Sequence, residues 1–571
     1  MTQEERNKIV SNEYADLIIR YNGDEAQLNR FQNDTINIVS TRYAVVHIPV
    51  EEFGNSIIAE FGYGAVPACY GLVSAASLEA SGIRRLRNLP NFALRGQGIL
   101  IGIVDTGIDY TNPVFKNADN TTRIVSIWDQ TIYSENGYPP NTFYGTEYKK
   151  EQINEALIHD NPLEFVPSTD EIGHGTMLAG ISGGNEVPES NFYGVAPDAE
   201  FVVVKVKPIK QYLRDFFSIP NDAICYQEND IMFGVRYLLD FARQLGRPIA
   251  ICIGLGTSQG SHDGSSPLSE YLSINADVVG TAIVIAAGNE GNAKRHFYSL
   301  VDPSIGHVSV ELNVGENEGG FSMEIWGNTP STYSIDILSP TGEYIPRIPP
   351  QIIASREISF IFEKTKINVD YQLVESQTGD QLILIRFKNP TAGIWRFKVY
   401  KTGDLKVGFH IWLPMGNFIT ENTYFIRSDP DTTVLESGDA FVPITVTAYD
   451  DQNDSLYLNA GKGYTRLGIV KPEIAAPGVN VICPTLDHGF TSATGTSVAT
   501  AHTTGIAAMM LEWGIINRNY NSLDSLGIKK FLMKGARRNV SMEYPNTEWG
   551  YGILDIYNVF DILRVEMEGG E

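Results

Sequence analysis

Four runs of apolar residues mark the chain, and each ends in a glycine-rich or polar turn. They are Ile99–Val104, Phe201–Val206, Ile249–Ile253 and Thr281–Ala287. These runs are rich in β-branched residues and nearly continuous in apolar character, which is typical of strands buried on both faces of a parallel sheet. A helical period of apolar residues covers Ile231–Leu245 between them. Strands alternating with helices predict an α/β domain, which binds ligands at the carboxyl ends of its strands.

A different pattern occupies the stretch from about 305 to 435. Short segments alternate apolar and polar residues, and turns such as Ser339–Gly342 separate them. The predicted strands are His307–Leu312, Tyr333–Leu338, Gln381–Phe387, Trp395–Tyr400 and Val407–Trp412. Regular short strands with turns between them indicate an all-β domain of the sandwich type, inserted into the α/β domain.

The first 70 residues form a third unit. A helical pattern predicts a helix over Thr2–Tyr21, and Tyr43–Val50 is predicted to be a strand. This is too little core for an independent domain, so we expect the unit to pack on the rest of the chain. The expected division is therefore 1–70, 71–304, 305–435 and 436–565.

The chain is acidic, with 43 Lys and Arg against 68 Asp and Glu and a formal net charge of −25. Such a charge argues against binding to nucleic acid or to an anionic membrane. No apolar stretch reaches the roughly 18 residues of a membrane span. The start of the chain lacks an apolar segment behind a basic one, so no secretory signal is predicted and we expect synthesis in the cytoplasm. The four unclustered cysteines indicate reduced thiols.

Two of the candidate catalytic residues are an acid and a base. Asp105 follows the first buried run directly, which places its carboxylate at the carboxyl edge of the predicted sheet. His174 lies between two glycines, Gly173 and Gly175, which let other groups approach an imidazole closely. Taken alone, each has an ordinary structural explanation, because a turn Asp and a buried structural His are common.

The other two candidates are a hydroxyl and an amide. Ser497 stands before a long helical stretch, so it is either a helix N-cap or a nucleophile whose oxyanion the helix N-terminus stabilises. Asn289 follows the fourth apolar run, where its side-chain amide could donate to an oxyanion or simply form a turn. A nucleophile, a base, an orienting carboxylate and an oxyanion donor together make a serine peptidase site.

The order Asp, His, Asn, Ser and its local motifs resemble the subtilase family of serine proteases. The matching pieces are Asp105-Thr106-Gly107, His174-Gly175-Thr176, Ala287-Gly288-Asn289 and Gly495-Thr496-Ser497-Val498-Ala499. The resemblance implies a subtilisin-like fold. It also implies Ser497 as nucleophile, His174 as general base and then acid, Asp105 as its orienter and Asn289 as oxyanion donor. Gly254-Leu255-Gly256 resembles the segment that pairs with substrate and walls the S1 pocket together with Ala287 and Gly288; Gly254 replaces the family's usual Ser.

The front of the chain resembles a subtilase pro-segment with chaperone and inhibitor roles. Tyr70-Gly71-Leu72, followed by Leu78-Glu79-Ala80-Ser81-Gly82, resembles the start of a mature subtilase, so self-cleavage is expected within about residues 62–76. Which bond is cut stays open at this point.

A narrower resemblance is to the Csp germination proteases of spore-forming clostridia. It rests on the missing secretory signal, the short pro-segment, the all-β insert between Asn289 and Ser497, and the run Thr122–Gln130. In that group the insert is a jelly roll that clamps the catalytic domain, the cleaved pro-segment stays bound, and the substrate is the zymogen of a spore cortex hydrolase. The resemblance implies these partners here, and deposition in the spore.

Two alternatives stay open from the sequence. One is a pseudoprotease of the same fold that acts as a regulatory partner, and the other is a general intracellular degradative subtilase. No cofactor and no metal site are expected, although calcium is undecided because Asp109, Asp119 and Asp129 do not show the spacing of a calcium cage.

Overall fold

The N-terminal unit is a small antiparallel sheet preceded by one helix. The protein is described from a computed structural model over residues 1–73, 75–76 and 94–568. The elements are α1 (Gln3–Val10), β1 (Tyr14–Arg20), β2 (Thr35–Ile38), β3 (Tyr43–Pro49), α2 (Ile57–Phe61), β4 (Cys69–Leu72) and β5 (Ala75–Ala76). β3 lies between β1 and β2 and pairs antiparallel with both.

The predicted helix over Thr2–Tyr21 is correct only for its first half. The helix ends at Val10, and the following residues form β1, whose seven residues all pair with β3. Ala15 and Leu17 pack in one apolar cluster and Ile18 in another, so β1 is buried on both faces. Pairing and burial on both faces outweigh the helical pattern of the local sequence.

The next stretch alternates strands and helices. Its elements are β6 (Leu100–Asp105), β7 (Ile124–Asp129), β8 (Thr146–Lys149), α3 (Lys150–Leu157), α4 (His174–Gly183), β9 (Glu200–Lys205), α5 (Gln211–Phe217), β10 (Tyr226–Gln227), α6 (Glu228–Leu245), β11 (Ile249–Ile253), β12 (Leu255–Gly256), α7 (Pro267–Ala276) and β13 (Thr281–Ala286). The helix predicted over Ile231–Leu245 is the larger part of α6.

Eleven strands come next. They are β14 (His296–Leu300), β15 (His307–Val314), β16 (Gly320–Gly327), β17 (Thr332–Leu338), β18 (Tyr344–Ile348), β19 (Ile353–Ser359), β20 (Lys366–Gln372), β21 (Gln381–Lys388), β22 (Gly393–Thr402), β23 (Gly408–Trp412) and β24 (Tyr424–Phe425). They form two antiparallel sheets, ordered β14-β23-β16-β21-β20-β19 and β18-β17-β22-β15-β24. We call this part the inserted β unit. Because β14 pairs with β23, the unit begins at His296 and not at 305 as expected.

The last stretch completes the central sheet. Its elements are β25 (Ile444–Asp450), β26 (Ser455–Leu456), β27 (Ile474–Pro477), β28 (Val481–Pro484), β29 (Phe490–Thr494), α8 (Thr496–Leu511), α9 (Ser525–Gly535) and α10 (Ile556–Glu568). The sheet order is β26-β25-β13-β11-β6-β9-β7-β8, with β27 also beside β25. The four predicted strands are adjacent in this sheet and parallel, as expected. Within the described residues, no helix is long and apolar enough to cross a bilayer.

The inserted β unit packs against both other parts. Trp326 meets Tyr63 of the N-terminal unit edge to face, with 5.8 Å between ring centroids. Trp412 stacks on His262, with centroids 4.1 Å apart. Arg466 forms buried ion pairs with Asp263 and with Asp380 of the inserted β unit.

Most aromatic residues of the inserted β unit serve its own core. The apolar cluster between its two sheets includes Phe321, Tyr333, Phe360 and Trp395. Trp326 lies in a cluster with residues of the N-terminal unit, whereas Tyr344 is exposed. The insert therefore docks through Trp326, Trp412 and ion pairs, together with apolar side chains such as Leu384 and Phe418.

Candidate active site

The structure brings Asp105, His174 and Ser497 together at the carboxyl edge of the central sheet. Asp105 is the last residue of β6, His174 the first of α4 and Ser497 the second of α8. His174 Nδ1 lies 2.7 Å from Asp105 Oδ1, and His174 Nε2 lies 3.3 Å from Ser497 Oγ. The backbone N–H of Thr106 donates to the same Oδ1 at 2.8 Å. The hydroxyl, the imidazole and the carboxylate thus form one hydrogen-bonded chain.

The surroundings of His174 favour its protonated form. Burial alone lowers the pKa of His174, but the charge and hydrogen bond of Asp105 outweigh it, with help from Asp170, and raise the pKa above its ordinary value. An imidazole of this kind can accept a proton from a hydroxyl and hold it while a leaving group departs.

Asp170 is a positioning residue that the sequence analysis missed. It is fully buried, and Oδ1 accepts the backbone N–H of Gly173 at 2.7 Å. Oδ2 accepts the N–H and the hydroxyl of Thr176, at 2.9 and 2.8 Å. The carboxylate therefore caps the start of α4 and fixes the backbone that carries His174.

Asn289 lies in the turn after β13, half-buried beside α8. Its Oδ1 accepts the N–H and the hydroxyl of Thr496, at 3.1 and 3.2 Å. The amide NH₂ of Asn289 therefore remains as a hydrogen-bond donor. It lies on the cleft that Val73 also lines. Thr496 Oγ1 also accepts the N–H of Gly288 at 3.0 Å, so this threonine fixes the Asn289 turn relative to Ser497.

The cleft beside the triad holds the protein's own chain. β4 pairs antiparallel with β12 on one side and with β10 on the other. The register sets Leu72 opposite Leu255 and Gly71 opposite Gly256, and the N–H of Val73 donates to the Gly254 carbonyl at 3.1 Å. The segment Gly254–Gly256 thus pairs with the extended backbone of Gly71–Val73.

Residues on both sides of this point are held next to Ser497. The backbone N–H of Ser497 donates to the Val73 carbonyl oxygen at 3.4 Å, and β5 then pairs antiparallel with β29, next to α8. The chain therefore enters the site through β4 and leaves it through β5, with the carbonyl of Val73 facing the N-terminus of α8. Sequence reasoning missed this arrangement, because β4, β10 and β12 pair only in the folded protein.

Gly254 lies close to the side chains of Leu178 and His174. A Cβ at this position would lie 2.6 Å from Leu178 Cδ1 and 3.0 Å from His174 Cε1. Glycine therefore leaves room for Leu178 and the imidazole, while its carbonyl accepts the N–H of Val73.

The wall formed by Ala287 and Gly288 has a neighbour that the sequence analysis did not identify. The N–H of Leu435 donates to the Ala287 carbonyl at 2.9 Å. A Cβ at Gly288 would lie 2.4 Å from Leu435 Cγ, and one at Gly256 would lie 2.3 Å from Leu435 Cδ1. Leu435 therefore packs against both glycine walls of the predicted S1 pocket.

The carboxylates considered for calcium do not converge. Asp109 accepts from Thr111, Asp119 from Thr121 and Asp129 from Thr131, each within its own turn. Among the described residues, metal-ligand spacing occurs at His262, Glu436 and Asp439. Both ring nitrogens of His262 already face backbone carbonyls, those of Val434 at 2.8 Å and Ser258 at 3.1 Å.

Comparison with known proteins agrees with this geometry. Residues 96–310 and 414–552 match the Subtilase family of peptidases. The structure is similar to the Clostridium perfringens CspB protease, with 31% identity, a TM-score of 0.76, and coverage of 85% of this chain and 97% of that one. This supports the Csp resemblance and confirms a subtilisin-like α/β fold.

Curated relatives are more distant. A PII-type proteinase of Lacticaseibacillus paracasei is 21% identical, over 83% of this chain and 26% of its own length. The Arabidopsis thaliana subtilisin-like protease SBT3.15 is 23% identical, over 79% of this chain and 56% of that protein. The chain spans about a quarter of the length of the first of these and just over half of the second.

Proposed function

The chain belongs to the Subtilase family, and from that premise we propose that it is a serine endopeptidase with Asp105, His174 and Ser497 as its catalytic triad. We propose further that it first cuts its own chain, at the peptide bond between Val73 and Ser74. Residues 1–73 are then the pro-segment, a boundary that replaces the one expected after residue 70. Tyr70–Leu72 belong to the pro-segment in this view, and Leu78–Gly82, the other half of the expected mature start, lie outside the described residues.

The first step forms a bond between Ser497 Oγ and the carbonyl carbon of Val73. The hydroxyl proton passes to His174 Nε2, and Asp105 stabilises the imidazolium through Nδ1. The Val73 carbonyl oxygen becomes an oxyanion, which accepts from the Ser497 N–H and from the Asn289 amide. One such donor contributes a factor of about 10²–10³ in kcat, as measured in subtilisin.

The second step breaks the peptide bond. The nitrogen of Ser74 leaves with the proton held by His174, and Val73 remains esterified to Ser497. A water molecule then loses a proton to His174 and attacks the ester carbon, and the proton returns to Ser497 as the acid of Val73 is released. The side chains of the triad and one water molecule are thus sufficient for the hydrolysis.

One observation carries the self-processing proposal. The Val73 carbonyl accepts the Ser497 N–H, while pairing of β4 with β12 and of β5 with β29 holds the chain on both sides of this point. A bound substrate needs this placement for attack, since reacting groups must be held in position. We expect wild-type protein to run as two fragments on a denaturing gel and Ser497→Ala protein as one; a single wild-type band would contradict self-processing.

We also propose a role in germination. The processed enzyme would activate a spore cortex-hydrolase zymogen by limited proteolysis, with its cleaved pro-segment still bound and the inserted β unit acting as a jelly-roll clamp. Support comes from the similarity to the CspB protease over nearly all of that chain. The complete hydrogen-bonded triad favours this enzymatic role over a pseudoprotease.

The germination role has a direct test. The zymogen encoded in the same genome is incubated with wild-type protein or with the Ser497→Ala variant. We expect wild-type protein to shorten the zymogen at one site and the variant to leave it intact. Digestion into many small fragments would instead favour a general degradative subtilase.

A further inference from the structure

The inserted β unit reaches into the substrate cleft through one short turn. Gly416–Phe418 form a single helical turn after β23, and Met415 and Phe418 are both buried. Both side chains lie over the middle of β4. A Cβ at Gly71 would lie 3.1 Å from Phe418 Cζ and 3.5 Å from Met415 Cε.

We infer that Phe418 is a specificity-determining residue. It favours glycine two residues before the residue whose carbonyl is attacked. This inference rests on the proposed self-cleavage after Val73. The backbone of Gly71 does not lie in the left-handed region, so its conformation is open to any residue. Glycine is therefore favoured here by the limited space, which Phe418 and Met415 of the inserted β unit close, and a larger side chain would have to displace them.

The neighbouring positions extend the preference. Tyr70 is fully buried in an apolar cluster with Leu255 and Tyr226, and its hydroxyl has no hydrogen-bond partner among the described residues. The pocket therefore recognises the ring and not the hydroxyl. Val73 is buried in the cluster that contains Leu435, and Leu435 closes the pocket between Gly256 and Gly288. A small aliphatic side chain fits that space.

Together these contacts define the substrate class. It is an extended protein segment in which the four residues before the cut bond are aromatic, glycine, apolar and small aliphatic, in that order. Tyr70-Gly71-Leu72-Val73 has this sequence. Other proteins that the enzyme cuts should present the same pattern, because the same walls and the same Phe418 would receive them.

The test uses the full chain and its own cleavage. Wild-type and variant proteins are made by pulse-labelled cell-free translation, and the half-time of conversion to two fragments is measured. We expect Gly71→Val to slow conversion by about tenfold or more, since overpacking a filled site is costly. Phe418→Ala combined with Gly71→Val should restore most of the rate, because it removes the ring that meets the new side chain.

The matched control is Gly54→Val, in an exposed turn of the N-terminal unit where a Cβ meets nothing within 4 Å. It should convert at the wild-type rate. Rescue by Phe418→Ala would trace the slow conversion to the contact between these two side chains, since the same ring removal would not compensate for a defect elsewhere in the chain. Equal half-times for wild type and Gly71→Val, or no rescue, would overturn the inference, whereas failure of wild type to convert would instead reject the proposed function.

Discussion

A buried carboxylate joins the N-terminal unit to the rest of the protein. Asp16, in β1, is fully buried and accepts from His47 Nδ1 and Lys210 Nζ, each at 2.7 Å, and from Gln227 Nε2 at 2.9 Å. Lys210 and Gln227 belong to the other side of the proposed cut, and Gln227 lies in β10, beside β4. After cleavage this cluster would hold the pro-segment without a covalent link.

Replacing Asp16 by Ala should release the cleaved pro-segment. The change leaves the charge of Lys210 buried and unpaired, and removing one partner of a buried pair typically costs about 3–5 kcal/mol. That cost corresponds to a dissociation constant raised by about 100- to 5,000-fold.

The pH of the assay is not critical for this effect. Burial tends to raise the pKa of Asp16, but the charges of Lys210 and His47 outweigh burial and hold the pKa well below its ordinary value. A carboxylate with a depressed folded-state pKa stabilises the complex fully above its unfolded pKa, about 3.9. This contribution to binding is lost only as the pH falls from the unfolded pKa through the lower pKa of the folded state. An assay at neutral pH therefore measures the contribution in full.

The assay is size-exclusion chromatography of processed protein at decreasing concentration. Wild-type fragments should elute together, and the Asp16→Ala pro-segment should separate. Glu51→Ala, which removes an exposed acid of the same unit, is the matched control and should behave as wild type. Co-elution of the Asp16→Ala fragments at every dilution would refute the assignment of Asp16 as the link.

Three further predictions follow from the site and the fold. Asn289→Ala should slow self-cleavage by about 10²–10³-fold while the circular dichroism spectrum stays unchanged, and an unchanged rate would remove Asn289 from the site. Because the base form of His174 is required and its pKa is raised, the rate should increase with pH through an apparent pKa above its ordinary 6.5, and a midpoint below that value would contradict the pairing with Asp105. The inserted β unit should unfold with the rest in one calorimetric transition and resist a foreign protease at its edges, because buried pairs such as Arg466 with Asp380 join it to its neighbours, whereas two separate transitions would make it an independent body.

The central sheet and the triad could be predicted because their signals are local. A strand buried on both faces must be apolar throughout, as Ile249–Ile253 is, and that composition needs no knowledge of its partners. The motifs around Asp105, His174 and Ser497 are short and contiguous, so each could be recognised before the fold joined them.

Other features depend on contacts between distant parts of the chain. Residues 14–20 form a strand because β3 pairs with them, although their own pattern suggested a helix. The role of β4 arises from β10 and β12, more than 150 positions away, and from the Ser497 N–H. The contact of Phe418 with Gly71 likewise requires the inserted β unit to be docked, which no local pattern encodes.

The most direct test of the account is the identity of the cut bond. Intact-mass analysis and N-terminal sequencing of purified protein locate it to a single residue. The account predicts two fragments that together contain the whole chain, with Ser74 as the new N-terminus, and an uncut Ser497→Ala protein. A new N-terminus at any other residue, or cleavage that persists in the Ser497→Ala variant, would contradict it.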